Sequence, residues 1–540
     1  MTASPFTPQP LQRGPEGMLP WHSPHGMALA ALGLGLVVQF LFYGRPAGIS
    51  FPIWALLCIL ALLACAWLER VRPAADGWLL VLPLLFFAAM VAVRSEPMSL
   101  FLDGALTLAL FALWLRVFGR GRLVRFGWLD YGLALVWVPL ESWIRPWGVL
   151  SAAWRRVAGE SSERSKALAI ARGLILALPV VIVFTVLLSA ADLIFSDYVR
   201  QVLHWLGLDR IVELIMRLAL ALISGLFFLG ALAIALQRRP ESRPIGEDRP
   251  LVSPFLGSME SVVVLAAVDL LFAAFVAVQF AYLFGGQANI TITGYTYAEY
   301  ARRGFGELVA VSILTLGMIL GLGAFTRRES RRSGTWFNGL CVLLVMLVGV
   351  ILASALMRLL LYENAYGFTR LRTYTHFAIL WMGALFVAFL ALLLTNRLRQ
   401  FASIVMAGAV GLAATLNLVG VDSFIVQRNG ARLVETRDLD TAYLATLSDD
   451  AVPALVRLAL NAPLPQQREL LADLACRQAQ LQDRVRHLDW PSYNWSRDRA
   501  LRALEEAADR LADFPVKWMR GGWVVEVEGK LQPCYPSWID

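Results

Sequence analysis

Two short stretches in an otherwise apolar chain carry the residue types from which a polar site is built. YTYAEYARRGFGEL (295–308) supplies Tyr295, Glu299, Tyr300, Arg302, Arg303 and Glu307. YENAYGFTRLRTYTHF (362–377) supplies Tyr362, Glu363, Tyr366, Arg370, Arg372, Tyr374 and His376. Arginine presents an always-charged fork of donors matched to phosphate or carboxylate, while Glu, His and Tyr add proton transfer and hydrogen bonding. Brought together, these side chains would form a pocket for an anionic group. In helical register Glu299 meets Arg302 and Arg303, and Arg303 meets Glu307. Tyr362 and Tyr366 share a face, as do Arg370 with Tyr374 and Arg372 with His376. Gly367 marks a tight turn or a close helix approach. The competing reading is plain anchoring, because tyrosine and arginine are favoured at a membrane interface and exposed ion pairs are common. The support for a pocket is the density of Glu363, Arg370, Arg372 and His376 within one short link.

A different kind of candidate is Asp269, in the middle of SVVVLAAVDLLFAAFVAVQF. An aspartate at that depth in a bilayer costs about 3 kcal/mol or more to insert. It must face other helices, either as a proton or cation site or as a protonated, hydrogen-bonded packing residue. Asp192 and Arg217, near the ends of neighbouring apolar runs, would simply pair. GMILG (317–321) has the small-xxx-small spacing of a helix contact.

The elements that position these residues are membrane spans. The chain has 540 residues, 58% hydrophobic and 16% charged, and its apolar residues fall in runs near 20, the length that crosses a hydrocarbon core of about 30 Å as a helix. We read spans at 27–43, 50–68, 77–93, 98–118, 170–195, 211–236, 260–284, 305–325, 337–358, 374–395 and 402–421. The fold class is therefore an all-α polytopic membrane protein of about 11 transmembrane helices. WLDYGLALVWVPLESWIRPW (128–147), rich in tryptophan and broken by Pro139, is expected to be one further interfacial or re-entrant segment. SDYVRQVLHWLGLDR (196–210) reads as an amphipathic helix lying on the surface.

Charge orients the chain. RVFGRGRLVR, WRRVAGESSERSK, QRRPESRPIGEDR, RRESRR and NRLR all fall on one side, taken as cytoplasmic. The N-terminus is then cytoplasmic, and the C-terminus and both polar stretches lie on the extracytoplasmic side. The net charge of +8 belongs to these loops, and no concentrated basic face points to nucleic acid. Arginine and alanine usage suits a GC-rich bacterial genome, hence a bacterial inner membrane. Residues 1–26 are polar and proline-rich, expected to be disordered, and lack a signal-peptide pattern.

After residue 421 the pattern becomes that of an ordinary water-facing domain. LDTAYLATLSDDAVPALVRLAL, QQRELLADLACRQAQLQDRVRHL and SRDRALRALEEAADRLADF have helical spacing, and WVVEVEGKLQ reads as a terminal β-hairpin. The division is thus an N-terminus of 1–26, a membrane domain of 27–421 and a small, mainly helical soluble domain of 422–540. Cys58, Cys65 and Cys341 read as apolar span residues. Cys476 and Cys534 would pair only in an oxidising compartment. No cysteine or histidine spacing suggests a metal, and no cofactor is implied. NIT at 289 is a glycosylation sequon by letter only.

YAEYARRGFGEL and YENAYGFTRLRTYTHF, with the tail pieces DSFIVQRNGAR, LDTAYLATLSDDAVPAL and NWSRDRA, resemble a family of bacterial multi-spanning membrane proteins catalogued only as a domain of unknown function (4153/4173 type). The resemblance runs over about residues 260–510. It implies a multi-spanning protein with this tail and supplies no activity or catalytic residue. Three functions stay open. One is a non-enzymatic envelope assembly, sensing or regulatory component with an extracytoplasmic protein partner. The second is an enzyme on a lipid-linked or anionic headgroup, with Glu363 or Glu299 as acid/base. The third is a proton-coupled transporter using Asp269. In all three the bilayer is a partner.

Overall fold

A computed structural model describes residues 21–119, 121, 123, 126–158, scattered positions from 173 to 179, 180–205 apart from 182 and 186, 209–237, 255–283, 305–327, 331–395, 397–436, 438–519 and 521–534. Among these residues, ten helices are long and apolar enough to cross a membrane. They coincide with ten of the eleven expected spans; the expected span at 170–195 lies partly outside the described residues. The chain is a multi-pass, all-α membrane protein with one small sheet near its C-terminus.

The chain divides into two compact units. The first contains α1 (Pro24–Phe42), α2 (Ser50–Leu68), most of α3 (Ala75–Val93), the later part of α4 (Pro97–Val117), α5 (Trp128–Ile144), α6 (Pro146–Ala158), α7 (Leu193–Trp205) and α8 (Asp209–Leu236). Within it α1 and α8 approach backbone to backbone. A Cβ placed on Gly35 would lie 2.0 Å from the Ala221 carbonyl oxygen and 2.8 Å from the Gly225 nitrogen. In lipid, helices associate by such backbone contact, because burying apolar surface gains little there. The segment expected to be interfacial is the 17-residue α5, below the length of the ten spans and exposing Trp128, Trp137 and Trp143. The stretch expected to be an amphipathic surface helix is helical in α7 as far as Trp205. Asp192 and Arg217 do not form the expected pair. Arg217 binds Glu213 one turn away at 2.6 Å and stacks on Tyr43. Asp192 instead accepts the backbone N–H of Phe195 at the start of α7.

The second unit contains the end of α3, the start of α4, and α9 (Ser258–Leu283), α10 (Phe305–Phe325), α11 (Arg331–Tyr366), α12 (Arg370–Leu394) and α13 (Phe401–Val419). Its membrane core gathers Leu265, Cys341, Leu344, Val348, Ala355, Leu359, Phe386, Phe389 and Phe401 from α9, α11, α12 and α13. α11 runs 36 residues, two turns past the end expected at 358. The link to α12 is therefore only Gly367, Phe368 and Thr369, and Glu363 is helical. Gly367 has φ +76°, which L side chains rarely adopt, so the chain reverses within three residues. Gly317 and Gly321 have nothing within contact distance of a Cβ. The two glycines of GMILG thus do not make the close helix contact their spacing suggested, while Ile319 between them is buried in the membrane core.

The tail continues from α13 through Gly420 (φ +66°) into α14 (Val421–Thr436), α15 (Thr441–Ala445), α16 (Val452–Asn461), α17 (Leu464–Arg486), α18 (Trp495–Glu506) and α19 (Ala508–Leu511). Its core of Ile425, Leu444, Leu455, Leu474 and Leu504 includes Leu416 of α13 and is packed by Leu102, Phe377 and Leu412 of the spans. The expected terminal hairpin is a three-stranded antiparallel sheet, β1 (Val516–Met519), β2 (Gly522–Val527) and β3 (Lys530–Pro533), in that order. The strand missed, VKWM, is too short for an alternating pattern to show. Cys476 of α17 is disulfide-bonded to Cys534 beyond β3, beside buried Ala472 and Val525.

Candidate functional site

The second unit brings five chain segments to one end of its helices: the α3–α4 link, the start of α12, the α13–α14 junction, and tail residues 443–450 and 492–497. α4 opens with Pro97, which fits a first helical position because its missing N–H has no partner there anyway. Glu96 caps that helix. Its carboxylate accepts the backbone N–H of Met98 at 3.0 Å and of Ser99 at 2.7 Å, and it is 3% exposed. Tyr374, on the first turns of α12, donates its hydroxyl to the same carboxylate.

Arg370, at the first position of α12, binds the fully buried Asp422 through two parallel hydrogen bonds, Nε to Oδ1 at 2.8 Å and Nη2 to Oδ2 at 2.6 Å. Its Nε lies 3.9 Å from Glu96. Asp422 also accepts the backbone N–H of Ser448, and the Arg370 N–H donates to the Tyr443 hydroxyl. Asp450 accepts the backbone N–H groups of Ser95 at 2.9 Å and Glu96 at 3.1 Å and faces Arg94 at 3.9 Å. Arg94 in turn donates to the Asn417 carbonyl, and the Asn417 amide donates to buried Asp103 at 2.6 Å. Two guanidinium groups thus hold three buried carboxylates, Glu96, Asp422 and Asp450, supplied by the spans and the tail together.

Burial pushes the Asp450 carboxyl above the ordinary aspartate value, against the opposing pull of the Ser95 N–H and of Arg94. The Tyr443 phenol is likewise pushed up by burial.

A second polar pair lies in the expected pocket. Glu363 is fully buried; one of its oxygens is 3.3 Å from Nδ1 of His376, while the other has no hydrogen-bond partner among the described residues. Tyr362 and Tyr366 meet edge to face at 5.0 Å. Arg372 lies over the Tyr362 ring at 4.1 Å and donates to the carbonyls of Tyr366 and Gly367, closing the end of α11. Phe368 is held by Asn429, which accepts its N–H at 2.7 Å and donates to its carbonyl at 2.9 Å.

Of the residues expected to form a pocket, Tyr362, Glu363, Tyr366, Arg370, Arg372, Tyr374 and His376 do gather at one helix end. Tyr295, Glu299, Tyr300, Arg302 and Arg303 lie outside the described residues, as does Asn289. Glu307 is exposed on the first turn of α10. Asp269 is 3% exposed in α9, with neither oxygen hydrogen-bonded among the described residues. The residues that pattern reading missed are Arg94, Glu96, Asp103, Asn417, Asp422 and Asp450, and also Arg358. Buried Arg358 of α11 donates to Gln279 of α9 at 2.6 Å, where Ser354 also donates. An acid in the four-residue link RSEP and the double acid at 449–450 were the available signals. Among the described residues, no three His, Cys, Asp or Glu side chains gather as metal ligands.

A family model described as Domain of unknown function (DUF4153) matches residues 81–458. The match begins in α3, well ahead of residue 260, and ends within α16, short of 510. No curated protein and no solved structure matches the chain.

Removing one member of a buried ion pair strands the other charge, at a cost of about 3–5 kcal/mol, whereas replacing both by apolar groups is near neutral. Arg370→Ala and Asp422→Asn should each loosen the tail by that order in pulse proteolysis, and Arg370→Lys should recover little, lacking the two-pronged fork. The double variant R370M/D422L should cost far less than the two single changes summed. Strict additivity would contradict the pairing.

Asp450 yields a pH signature. Because its folded value is raised, its contribution to stability is complete below the unfolded value of about 3.9 and is lost as pH rises through the folded value. Asp450→Asn removes that titration. Relative to the unmodified protein, the variant's tail should therefore gain stability as pH rises above about 4. Thermal melts from pH 4 to 8 check this, and a constant difference would contradict it.

Proposed function

Since the chain belongs to the DUF4153 family, whose description assigns no activity, we propose a function from its own residues. The protein is a non-enzymatic component of the bacterial inner membrane, acting in envelope assembly, sensing or regulation. It presents its tail on the extracytoplasmic face, on a mount built into the ends of the spans. The observation that carries this reading is the use made of the two arginines. Arg370, suited by its fork to an anionic headgroup, is taken by Asp422; Arg372 is spent on the carbonyls that end α11. The basic groups hold protein to protein.

Placement of the tail outside is supported by the Cys476–Cys534 bond, since disulfides persist in oxidising compartments. It is supported as well by the basic loops on the other side. The partner of the tail is taken to be another envelope protein.

A second reading, an enzyme on a lipid-linked or anionic headgroup, draws on Glu363 and His376. A buried carboxylate beside an imidazole is an acid/base arrangement. The transporter reading rests on Asp269 alone and ranks third.

The test is site-specific photo-cross-linking in living cells from exposed tail positions, Val434 (85% exposed) and Leu464 (68%). A discrete adduct that is lost when Arg370→Ala releases the tail is the expected result. Absence of any adduct, together with headgroup turnover by the purified protein that Glu363→Gln abolishes, would replace this reading with the second.

A further inference from the structure

Residues 490–496, WPSYNWS, alternate in the reverse of a water-facing loop. Ser492, Asn494 and Ser496 are 1%, 6% and 4% exposed, while Trp490, Tyr493 and Trp495 are 57%, 41% and 49% exposed. Two of these inward residues, Asn494 and Ser496, have partners there. The Asn494 amide donates to the carbonyls of Val91 at 3.3 Å, in the last turn of the membrane span α3, and of Arg94 at 2.8 Å, just beyond it. Ser496 and Ser95 share a hydroxyl contact at 3.1 Å. The loop is thereby pinned to the end of a span.

That pinning fixes depth. Tyr493 and Trp495 flank Asn494 directly, and consecutive Cα atoms are about 3.8 Å apart. The headgroup layer is about 5–8 Å thick on each side of the hydrocarbon core. Residues adjacent to a side chain that reaches the last helical turn therefore cannot clear it. Tyrosine and tryptophan are the side chains favoured in that layer, with rings that are apolar in body and polar at one edge. Past Glu96, the first two turns of α4 expose Met98 (45%) and Phe101 (69%), so an apolar surface continues into the same region.

We infer that Trp490, Tyr493 and Trp495 form a lipid anchor that beds the tail in the headgroup layer of the leaflet nearest it. The occupant is the bilayer itself. Charge is not the driver, because residues 422–540 carry 15 Lys and Arg against 18 Asp and Glu, a balance of −3. Association should then depend on the aromatic rings and hardly on lipid charge or salt. The inference does not rest on which face the tail occupies or on any partner it binds.

The test uses the full chain in phosphatidylcholine/phosphatidylglycerol nanodiscs. Cys58, Cys65 and Cys341 are buried and Cys476 is paired with Cys534, so Trp495→Cys adds a single accessible thiol for an environment-sensitive NBD dye. Leu464→Cys serves as the reference position, and Tyr493→Cys repeats the measurement should Trp495→Cys fail to fold. At 495 the emission should be blue-shifted, quenched several-fold more by a headgroup nitroxide lipid than at 464, and shielded from aqueous iodide. Equal quenching at both positions would overturn the anchor. Shielding from iodide without lipid quenching would overturn it too, and would mean that protein covers the loop.

Discussion

The second unit depends on one constraint: a carboxylate removed from water must be met by donors. Asp422 is fully buried three residues after the last span ends at Val419, and the fork of Arg370 meets both of its oxygens. Coulomb attraction strengthens as water is excluded, but so does the cost of an unpaired charge. Such a pair therefore contributes less to total stability than to the choice of a single arrangement. With Arg370 and Asp422 fixed, the start of α12 and the start of the tail have only one registration. Ser448, Tyr443 and Glu96 then fall into place around them.

Around that pair the same rule repeats at each helix end. The first N–H groups and last carbonyls of a helix lack internal partners, and at the edge of a bilayer water is scarce. Glu96 caps α4, Asn494 donates to the carbonyls at the end of α3, and Arg372 and Arg432 donate to those at the end of α11. Most of the polar residues of this region are thus occupied by the ends of spans. The Glu363–His376 pair stands apart, since one buried carboxylate oxygen retains no hydrogen bond among the described residues. If chemistry exists at this end of the helices, that pair is where it would begin.

The spans were legible because length and hydropathy alone define a membrane helix, and ten of the expected positions hold span-length helices. The cluster at 362–377 was legible as a concentration of unusual residues, but its meaning was not. The partner of Arg370 lies 52 residues away, that of Tyr374 lies 278 away, and Asp450 meets Ser95 across 355. No local spacing reports such pairs. Arg94 and Glu96 occupied a link of four residues that looked like a minimal turn. The small first strand, β1, went unread because four residues, VKWM, show no alternation. The exposed aromatics of 490–495 were hidden in a tail whose composition suggested only a water-soluble domain.

The most direct measurement is a cysteine pair in place of Ser95 and Ser496, whose hydroxyl oxygens lie 3.1 Å apart in the link and in the tail. The variant would be expressed in cells, its free thiols trapped by alkylation at lysis, and the bond read as a reducible link after cleavage between the two positions. Complete oxidation in the cell, with no added oxidant, is the expected result, because the tail docks on the span ends and the proposed placement turns that junction toward an oxidising compartment. Thiols that remain free in cells would contradict the extracytoplasmic placement. Thiols that stay free even when isolated membranes are treated with oxidant would contradict the docking itself.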